Sequence, residues 1–282
     1  MLPERGGLFV DATVGGGGHS ARLLEASPDV QILAMDRDAE ALERARFKLE
    51  GFGDRVHFVH APFSSLENHL PSDWHGKLAG VLADFGVSSD QLEDRQRGFS
   101  FQQDGPLDMR MDATRQKTSA AVLLASASED RLEAWLREFG EERFARRIAH
   151  ALIQARRRGP ILRTSQLAEL VARNVPRSRH GHHPATRTFQ ALRIAVNREL
   201  DEIDAFLESV PKLLAPNGRL GVISFHSLED RRVKRVFRNE VRSGEFRDPC
   251  PRGWTPSALE LHRNPRARSA RLRVLERLEV GQ

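Results

Sequence analysis

The sequence predicts an α/β fold: a mostly parallel sheet with helices on both faces, interrupted by an inserted all-helical domain. Short apolar runs alternate with helical stretches over roughly the first 100 residues, the alternation stops between about residues 107 and 183, and it then resumes. We therefore expect an α/β domain made of residues 1–106 and 184–282, with a helical domain at 107–183 between its two parts.

Four apolar runs predict the strands of the first part. They are residues 8–10, 31–35, 56–59 and 79–83, and helices are expected at 20–24 and 39–49. The runs are apolar on both faces, as is typical of parallel strands that helices cover on both sides. The first, second and fourth predicted strands are followed directly by aspartates: Asp11, Asp36 and Asp84.

The later elements follow from periodicity and capping signals. The insertion contains helical patterns at 129–139, 144–156 and 164–173. One continuous apolar face from Phe189 to Leu207 predicts a long helix that starts near Pro184. We expect a turn at 215–218, a strand at 219–225, a helix from a capping box at Ser227 to about Asn239, and a strand at 270–278.

Charge is unevenly distributed along the chain. The 282 residues carry a net charge of +5, but residues 1–140 hold 15 basic and 23 acidic side chains, whereas residues 141–282 hold 29 and 16. Of the basic residues, 39 are Arg and 5 are Lys. The planar guanidinium matches phosphate oxygens, so the second half indicates a polyanionic partner. A codon bias could raise the Arg content, but it would not make the first half acidic.

The composition is that of a globular chain with a real core, with 39% apolar and 29% charged residues. No run approaches the roughly 20 apolar residues of a membrane span. The first residues form no apolar signal segment, and the single cysteine, Cys250, fits a reducing compartment. We expect a cytoplasmic protein without membrane contact. The sequence leaves the oligomeric state open, a homodimer included.

The strongest local motif is the glycine-rich segment 11–20, DATVGGGGHS, directly after the first strand. Read as G-x-G-x-x-G, it has Gly15 and Gly17 but Ser20 at the third position. Asp36 ends the next strand about 20 residues later, where a carboxylate that binds ribose belongs. NAD, FAD and S-adenosylmethionine sites all share this pattern, and a turn that binds no ligand is the remaining alternative.

The ends of the third and fourth strands favour a methyl donor over a nicotinamide. Phe63 follows the third strand and could cover an adenine face, although a core position is the alternative for an aromatic residue there. Asp84 ends the fourth strand, where a carboxylate could meet a substrate amine. An isolated carboxylate at the end of an apolar strand is costly to bury unless it has a use.

Several blocks carry a more specific signal. They are GVLADFGVSSDQL at 80–92, RGFSF at 97–101, GPLDMRMD at 105–112, GEERFA at 140–145, HPATRTFQALR at 183–193, SFHSLED at 224–230 and NPRARS at 264–269. In this order, over nearly the whole chain, they resemble the bacterial small-subunit (16S) ribosomal RNA methyltransferase H family.

The resemblance implies a Rossmann-like S-adenosylmethionine methyltransferase fold. It also implies methyl transfer to N4 of a cytidine in the decoding region of 16S rRNA, within the small ribosomal subunit. The cofactor-binding positions that it implies are Gly17, Gly18, His19, Asp36, Phe63, Asp84 and Gln91.

Methylation of an exocyclic amine by a sulfonium needs alignment more than acid catalysis, because the leaving group is neutral. We expect Asp84 to hold the amine, or the cofactor end that faces it, by hydrogen bonding. We also expect Phe85 to stack on the extruded base, since enzymes that modify a base take it out of its stack. Asp84 and Phe85 are thus the predicted catalytic residues.

Two other functions stay open at this point: an NAD-dependent oxidoreductase, and a non-catalytic RNA-binding assembly factor with a methyltransferase fold. The arginine clusters taken together indicate RNA contact, although each single arginine could be ordinary solvated surface. His180, His182 and His183 are close in sequence, but no cysteine or carboxylate completes a ligand set nearby, so we expect no metal site.

Overall fold

The computed structural model describes residues 1–176 and 183–279. The chain divides into two compact units, Met1–Gly86 with Leu200–Gln282, and Val87–Glu199. The first unit contains the sheet. The second, which interrupts it in sequence, contains helices and loops. His180 and His182, for which we expect no metal, lie outside the described residues.

The first unit is built on a seven-stranded sheet in the order β3-β2-β1-β4-β5-β7-β6. Its strands are β1 (Gly7–Asp11), β2 (Val30–Asp36), β3 (Val56–His60), β4 (Leu78–Asp84), β5 (Leu214–Ser224), β6 (Phe246–Arg247) and β7 (Arg271–Arg277). The first five are parallel, and β7 runs antiparallel to both β5 and β6. The predicted α/β class with a mostly parallel sheet is confirmed.

Helices and short turns connect these strands. In the first unit they are α1 (Gly18–Ala26), α2 (Ala39–Leu49), α3 (Leu66–His69), α10 (Glu199–Ser209, which begins at the last residue of the second unit), α11 (Ser227–Ser243) and α12 (Ala258–Arg263). In the second they are α4 (Ser89–Glu93), α5 (Ala120–Ser126), α6 (Glu129–Glu138), α7 (Ala145–Arg156), α8 (Thr164–Asn174) and α9 (Thr186–Asn197). None of the helices in the described ranges has both the length and the apolarity to cross a bilayer.

The boundaries of the helical unit differ from the prediction. The structure places them after Gly86 and after Glu199, not after residues 106 and 183. Packing explains the difference, because Phe99 and Phe189 are buried in the core of the helical unit. Apolar residues on both flanks of the predicted insertion thus belong to that core.

The long helix predicted through Phe189 and Leu207 is wrong as a single element. It is two helices, α9 and α10, separated at Arg198, which has a left-handed backbone with φ of 51°. Just before it, the buried Asn197 side chain donates to Met109 O at 2.7 Å and accepts from Met111 N at 2.8 Å. These bonds fix the end of α9 to another segment of the helical unit.

Two smaller predictions also need correction. The expected turn at 215–218 lies within β5, where Asn217 has φ of 63° and the pairing with β4 shifts register. Helix α11 begins at Ser227, so the N-cap of its capping box is His226, one residue earlier than predicted. Its partner in that box is Glu229, whereas a box that starts at Ser227 predicts Asp230.

A buried ion pair joins α11 to β7. Arg273 is 2% exposed, and its Nε and Nη2 donate to Asp230 at 2.7 and 3.1 Å. Asp204 on α10 pairs with Arg232 at 3.2 Å, but its side chain is 43% exposed. Asp230 and Asp204 thus each form an ion pair with an arginine, but the pair of Asp230 is more buried.

We predict that Asp230→Asn destabilises the protein by about 3 kcal/mol, since it leaves a buried guanidinium uncompensated. Asp204→Asn is the matched control and should cost less than about 1 kcal/mol. Urea unfolding of both variants measures the difference. Equal losses would show that the burial of Arg273 does not set the energy of this contact.

Candidate active site

Three aspartates end neighbouring strands at one edge of the sheet. Asp11 ends β1, Asp36 ends β2 and Asp84 ends β4. Strand β1 lies between the other two, and Asp11 pairs in register with Ala34 and Leu82. This is the carboxyl edge of the parallel strands, where open α/β sheets bind their ligands.

The glycine-rich loop after β1 is tied to Asp36. The Gly15 N–H donates to Asp36 Oδ2 at 2.9 Å, and the Asp38 N–H donates to Oδ1 at 2.9 Å. Burial raises the pKa of Asp36 to about 6, although these two donors act to lower it. A carboxylate oxygen has more than one acceptor position, so Asp36 keeps capacity for ligand hydroxyls.

Gly17 has to be glycine. Its φ is 78°, and a Cβ would lie 3.3 Å from the Leu49 side chain of α2. The residue is therefore both left-handed and closely packed. Helix α1 begins at the next residue, Gly18, which is exposed together with His19, and no side chain caps this helix end. Its first backbone N–H groups remain available to an anionic group.

Ser20, at the third position of the glycine motif, has a specific partner. Its Oγ donates to Asp11 Oδ2 at 2.7 Å, and both residues are fully buried. Burial raises the pKa of Asp11, while this hydrogen bond lowers it. A serine here therefore compensates part of the cost of burying the β1 carboxylate.

Asp84 combines a fixed backbone with an unused side-chain acceptor. Its N–H donates to Thr13 Oγ1 at 2.7 Å. Its Oδ1 is buried and has no hydrogen-bond partner among the residues that the structure describes. Burial raises the pKa of Asp84 to about 6; His19 opposes this, and the Asp11 and Glu229 carboxylates reinforce it. Such a buried acceptor is costly unless a ligand donates to it.

An aromatic cluster lies beside this strand end. The Phe63 ring centroid is 5.4 Å from that of Phe85 and 5.3 Å from that of Phe206. Phe85 is 2% exposed, and its N–H donates to Ile223 O at 3.0 Å. The predicted stacking of Phe85 on a base is therefore not supported, because its ring is enclosed by other side chains. Phe63 is only half-buried.

Gln91 belongs to the second compact unit, unlike the other predicted cofactor residues. It lies in the first turn of α4, where its Oε1 accepts from Ser88 N at 3.0 Å and its own N–H donates to Ser88 Oγ at 3.2 Å. It thus forms a capping box, and its contact with a cofactor stays a prediction.

The site includes residues that the sequence did not single out as functional. They are Asp11, Thr13, Ser20 and Glu229, of which all but Thr13 are buried. Asp11 and Ser20 could have been found from the charge that ends β1 and from the serine in place of glycine. The link from Thr13 to Asp84 spans 71 residues and has no local signal.

A parallel sheet with one inserted antiparallel strand, a glycine-rich loop and buried carboxylates at the strand ends together define an α/β enzyme of the nucleotide-cofactor class. The comparison with protein families is more specific. The model of the MraW methylase family matches residues 1–278, and the chain belongs to this family.

Curated relatives agree over almost the whole chain, and three of them bear the name ribosomal RNA small subunit methyltransferase H. The protein of Synechococcus elongatus is 48% identical over 99% of this chain and 90% of its own length. Those of a Cyanothece species and of Thioalkalivibrio sulfidiphilus are 51% and 49% identical, over 98% and 96% of this chain and 90% and 91% of theirs.

Family membership confirms the resemblance seen in the sequence. It also confirms the expected class, an S-adenosylmethionine-dependent methyltransferase, and the strand order of the sheet agrees with the expected Rossmann-like fold. The NAD-dependent alternative is wrong. The residues present fit this cofactor: Asp84 Oδ1 is an unused buried acceptor, and a Cβ at Gly16 would meet nothing within 4 Å.

The raised pKa of Asp84 predicts how stability depends on pH. The folded protein holds this proton more tightly than the unfolded chain does, so the group stabilises the fold below about pH 4, and this contribution is lost as the pH rises to about 6. Asp84→Asn should therefore stabilise the cofactor-free protein at pH 8 by roughly 2 kcal/mol.

Urea unfolding at pH 5 and pH 8 checks this prediction, with Asp29→Asn at an exposed position as the control. The control should leave the pH dependence as it is in the original protein. If Asp84→Asn does not increase the free energy of unfolding at pH 8, burial of the Asp84 carboxyl does not destabilise the fold.

Proposed function

We propose that this protein transfers the methyl group of S-adenosylmethionine to N4 of a cytidine in the decoding region of 16S rRNA, within the small ribosomal subunit. The names of its relatives support the rRNA substrate. The choice of an amine rests on Asp84, whose buried, unpartnered Oδ1 is an acceptor suited to an N–H donor.

The cofactor would be held by groups from separate strand ends. Asp36 is placed to accept from ribose hydroxyls. The uncapped start of α1, at Gly18 and His19, suits a carboxylate. Phe63 would cover the adenine with its exposed part, and Gln91 would supply a further contact.

Bound S-adenosylmethionine supplies a methyl group on a positively charged sulfur, whose neutral departure needs no general acid. With pKa values of about 6, the carboxyls of Asp36 and Asp84 are largely ionised at pH 7 and make this strand edge negative, which favours a cation. The protein therefore binds the positively charged cofactor partly through carboxylates whose burial already costs free energy of folding.

Asp84 would orient the cytosine amine by accepting one of its N–H groups. As the N–CH₃ bond forms and the S–CH₃ bond breaks, the nitrogen becomes positive and loses a proton. A carboxylate with a pKa of about 6 is largely ionised at pH 7 and can take that proton before passing it to water. Thr13 supports this role by fixing the Asp84 backbone.

Phe85 would have a positioning role and would not stack on the base as predicted. Its ring centroid lies 5.4 Å from that of Phe63 and 6.2 Å from that of Phe206, so it would set the position of the Phe63 ring and of the strand end at Asp84. Phe85 is thus a proposed positioning residue.

The experiment that tests the function is methyl transfer from radiolabelled S-adenosylmethionine to assembled small subunits and to naked 16S rRNA, followed by nucleoside analysis. We expect label in N4-methylcytidine from the assembled subunits. Label in another nucleoside would contradict the amine substrate. S-adenosylmethionine binding or RNA binding without any transfer would favour the non-catalytic assembly factor.

Asp84→Asn is predicted to reduce kcat by roughly 100-fold or more, because the amide no longer offers a negative acceptor to the amine. Asp29→Asn, on the same unit, should keep full activity. Calorimetric titration with S-adenosylmethionine separates the contribution of Asp84 to cofactor binding from its contribution to turnover. If the variant keeps both binding and turnover, the proposed role of Asp84 is wrong.

A further inference from the structure

The helical unit carries a groove that the proposed chemistry does not use. It has a volume of about 800 Å³ and is lined by residues of α7 and α8 together with Glu129 of α6 and the segments on either side of α7. Four of its lining residues are arginines: Arg143, Arg146, Arg147 and Arg158. We call it the Arg143–Arg158 groove.

These arginines have no anionic partner in the part of the chain that the structure describes. Among the described residues, no carboxylate lies within ion-pair distance of Arg143, Arg146, Arg147 or Arg158, and all four are exposed. The glutamate that lines the groove, Glu129, is engaged with His150 at 3.1 Å.

Other arginines of the same unit are used differently. Arg137 pairs with Glu133 and Arg173 with Glu169, each one helical turn away. Arg156 donates to Leu124 O at 2.9 Å and to Ala127 O. These three arginines are therefore bound elsewhere, whereas the four that line the groove have no carboxylate partner among the described residues.

The groove is held in place by the core of the unit. Ile148 and Leu152 on the opposite face of α7 are each 1% exposed. The Arg143 guanidinium lies 4.6 Å from the centre of the Phe144 ring, which restricts its motion. Clustered like charges repel each other, so the fold maintains this arrangement at a cost that an anionic ligand would offset.

We infer that the Arg143–Arg158 groove binds the sugar–phosphate backbone of the RNA substrate, an inference that rests on the proposed function. Guanidinium forks match phosphate oxygens, and residues 143 to 158 extend over roughly 20 Å, enough for several successive phosphates. Apolar lining at Phe144 and Leu170 suits ribose or base faces. Such contacts give affinity and position without reading sequence.

The test compares two double variants with equal charge loss in the same unit. Arg146→Gln with Arg147→Gln removes groove charge, and Arg137→Gln with Arg173→Gln removes paired charge outside it. The probes are a fluorescein-labelled 20-nucleotide single-stranded RNA, titrated between 50 and 200 mM salt, and a polyglutamate peptide as the anionic protein alternative.

We expect the groove variant to bind the RNA at least 10-fold more weakly at low salt. The slope of log K against log salt should fall by about 1.4, as for two lost phosphate contacts on a single strand. In the methyl-transfer assay it should raise KM for small subunits while kcat stays within twofold. The control variant should match the original protein, and thermal unfolding of both shows that they fold.

Equal RNA affinity and salt slope for the two double variants would overturn the inference. It would also be overturned if the groove variant lost polyglutamate binding but kept RNA binding. These outcomes are distinct from a failure of the proposed function. In that case the original protein itself would bind no RNA or methylate no rRNA.

Discussion

Three carboxylates that are buried without an ion pair to any described arginine or lysine are the constraint on which the rest of the structure depends. Asp11, Asp36 and Asp84 form no ion pair with a described arginine or lysine, and burial raises the pKa of each. Backbone N–H groups and Ser20 compensate part of this cost. The remainder makes this strand edge less stable than a neutral one, and negative charge at this edge suits a cationic methyl donor.

The excess of basic residues in the second half of the chain overstates the positive charge that is available to RNA. Many arginines of the basic second half serve the fold: Arg273 pairs with Asp230, and Arg219 and Arg247 both pair with Glu276. Glu276 has a lowered pKa in consequence, although burial opposes this shift. Among the described residues, the arginines without a carboxylate partner include the four that line the Arg143–Arg158 groove, and these are the ones that we propose for RNA contact.

Local patterns predicted the sheet, the glycine-rich loop and the strand-end aspartates, because each depends on a few neighbouring residues. Long-range packing decided the rest. The unit boundaries depend on Phe99 and Phe189 joining one core, and the break at Arg198 accompanies bonds from Asn197 to Met109 and Met111. Phe85 stands next to Asp84 in sequence, but the ring of Phe206, about 120 residues later, helps to bury it.

The most direct test of the central claim is the pKa of the Asp84 carboxyl, measured by ¹³C NMR with and without S-adenosylmethionine. Assignment would use Asp84→Asn, whose spectrum lacks that signal. We expect a value of about 6 in the free protein, falling below about 5 when the cationic cofactor binds. A value near 4 in the free protein, or one that the cofactor leaves unchanged, would contradict the account.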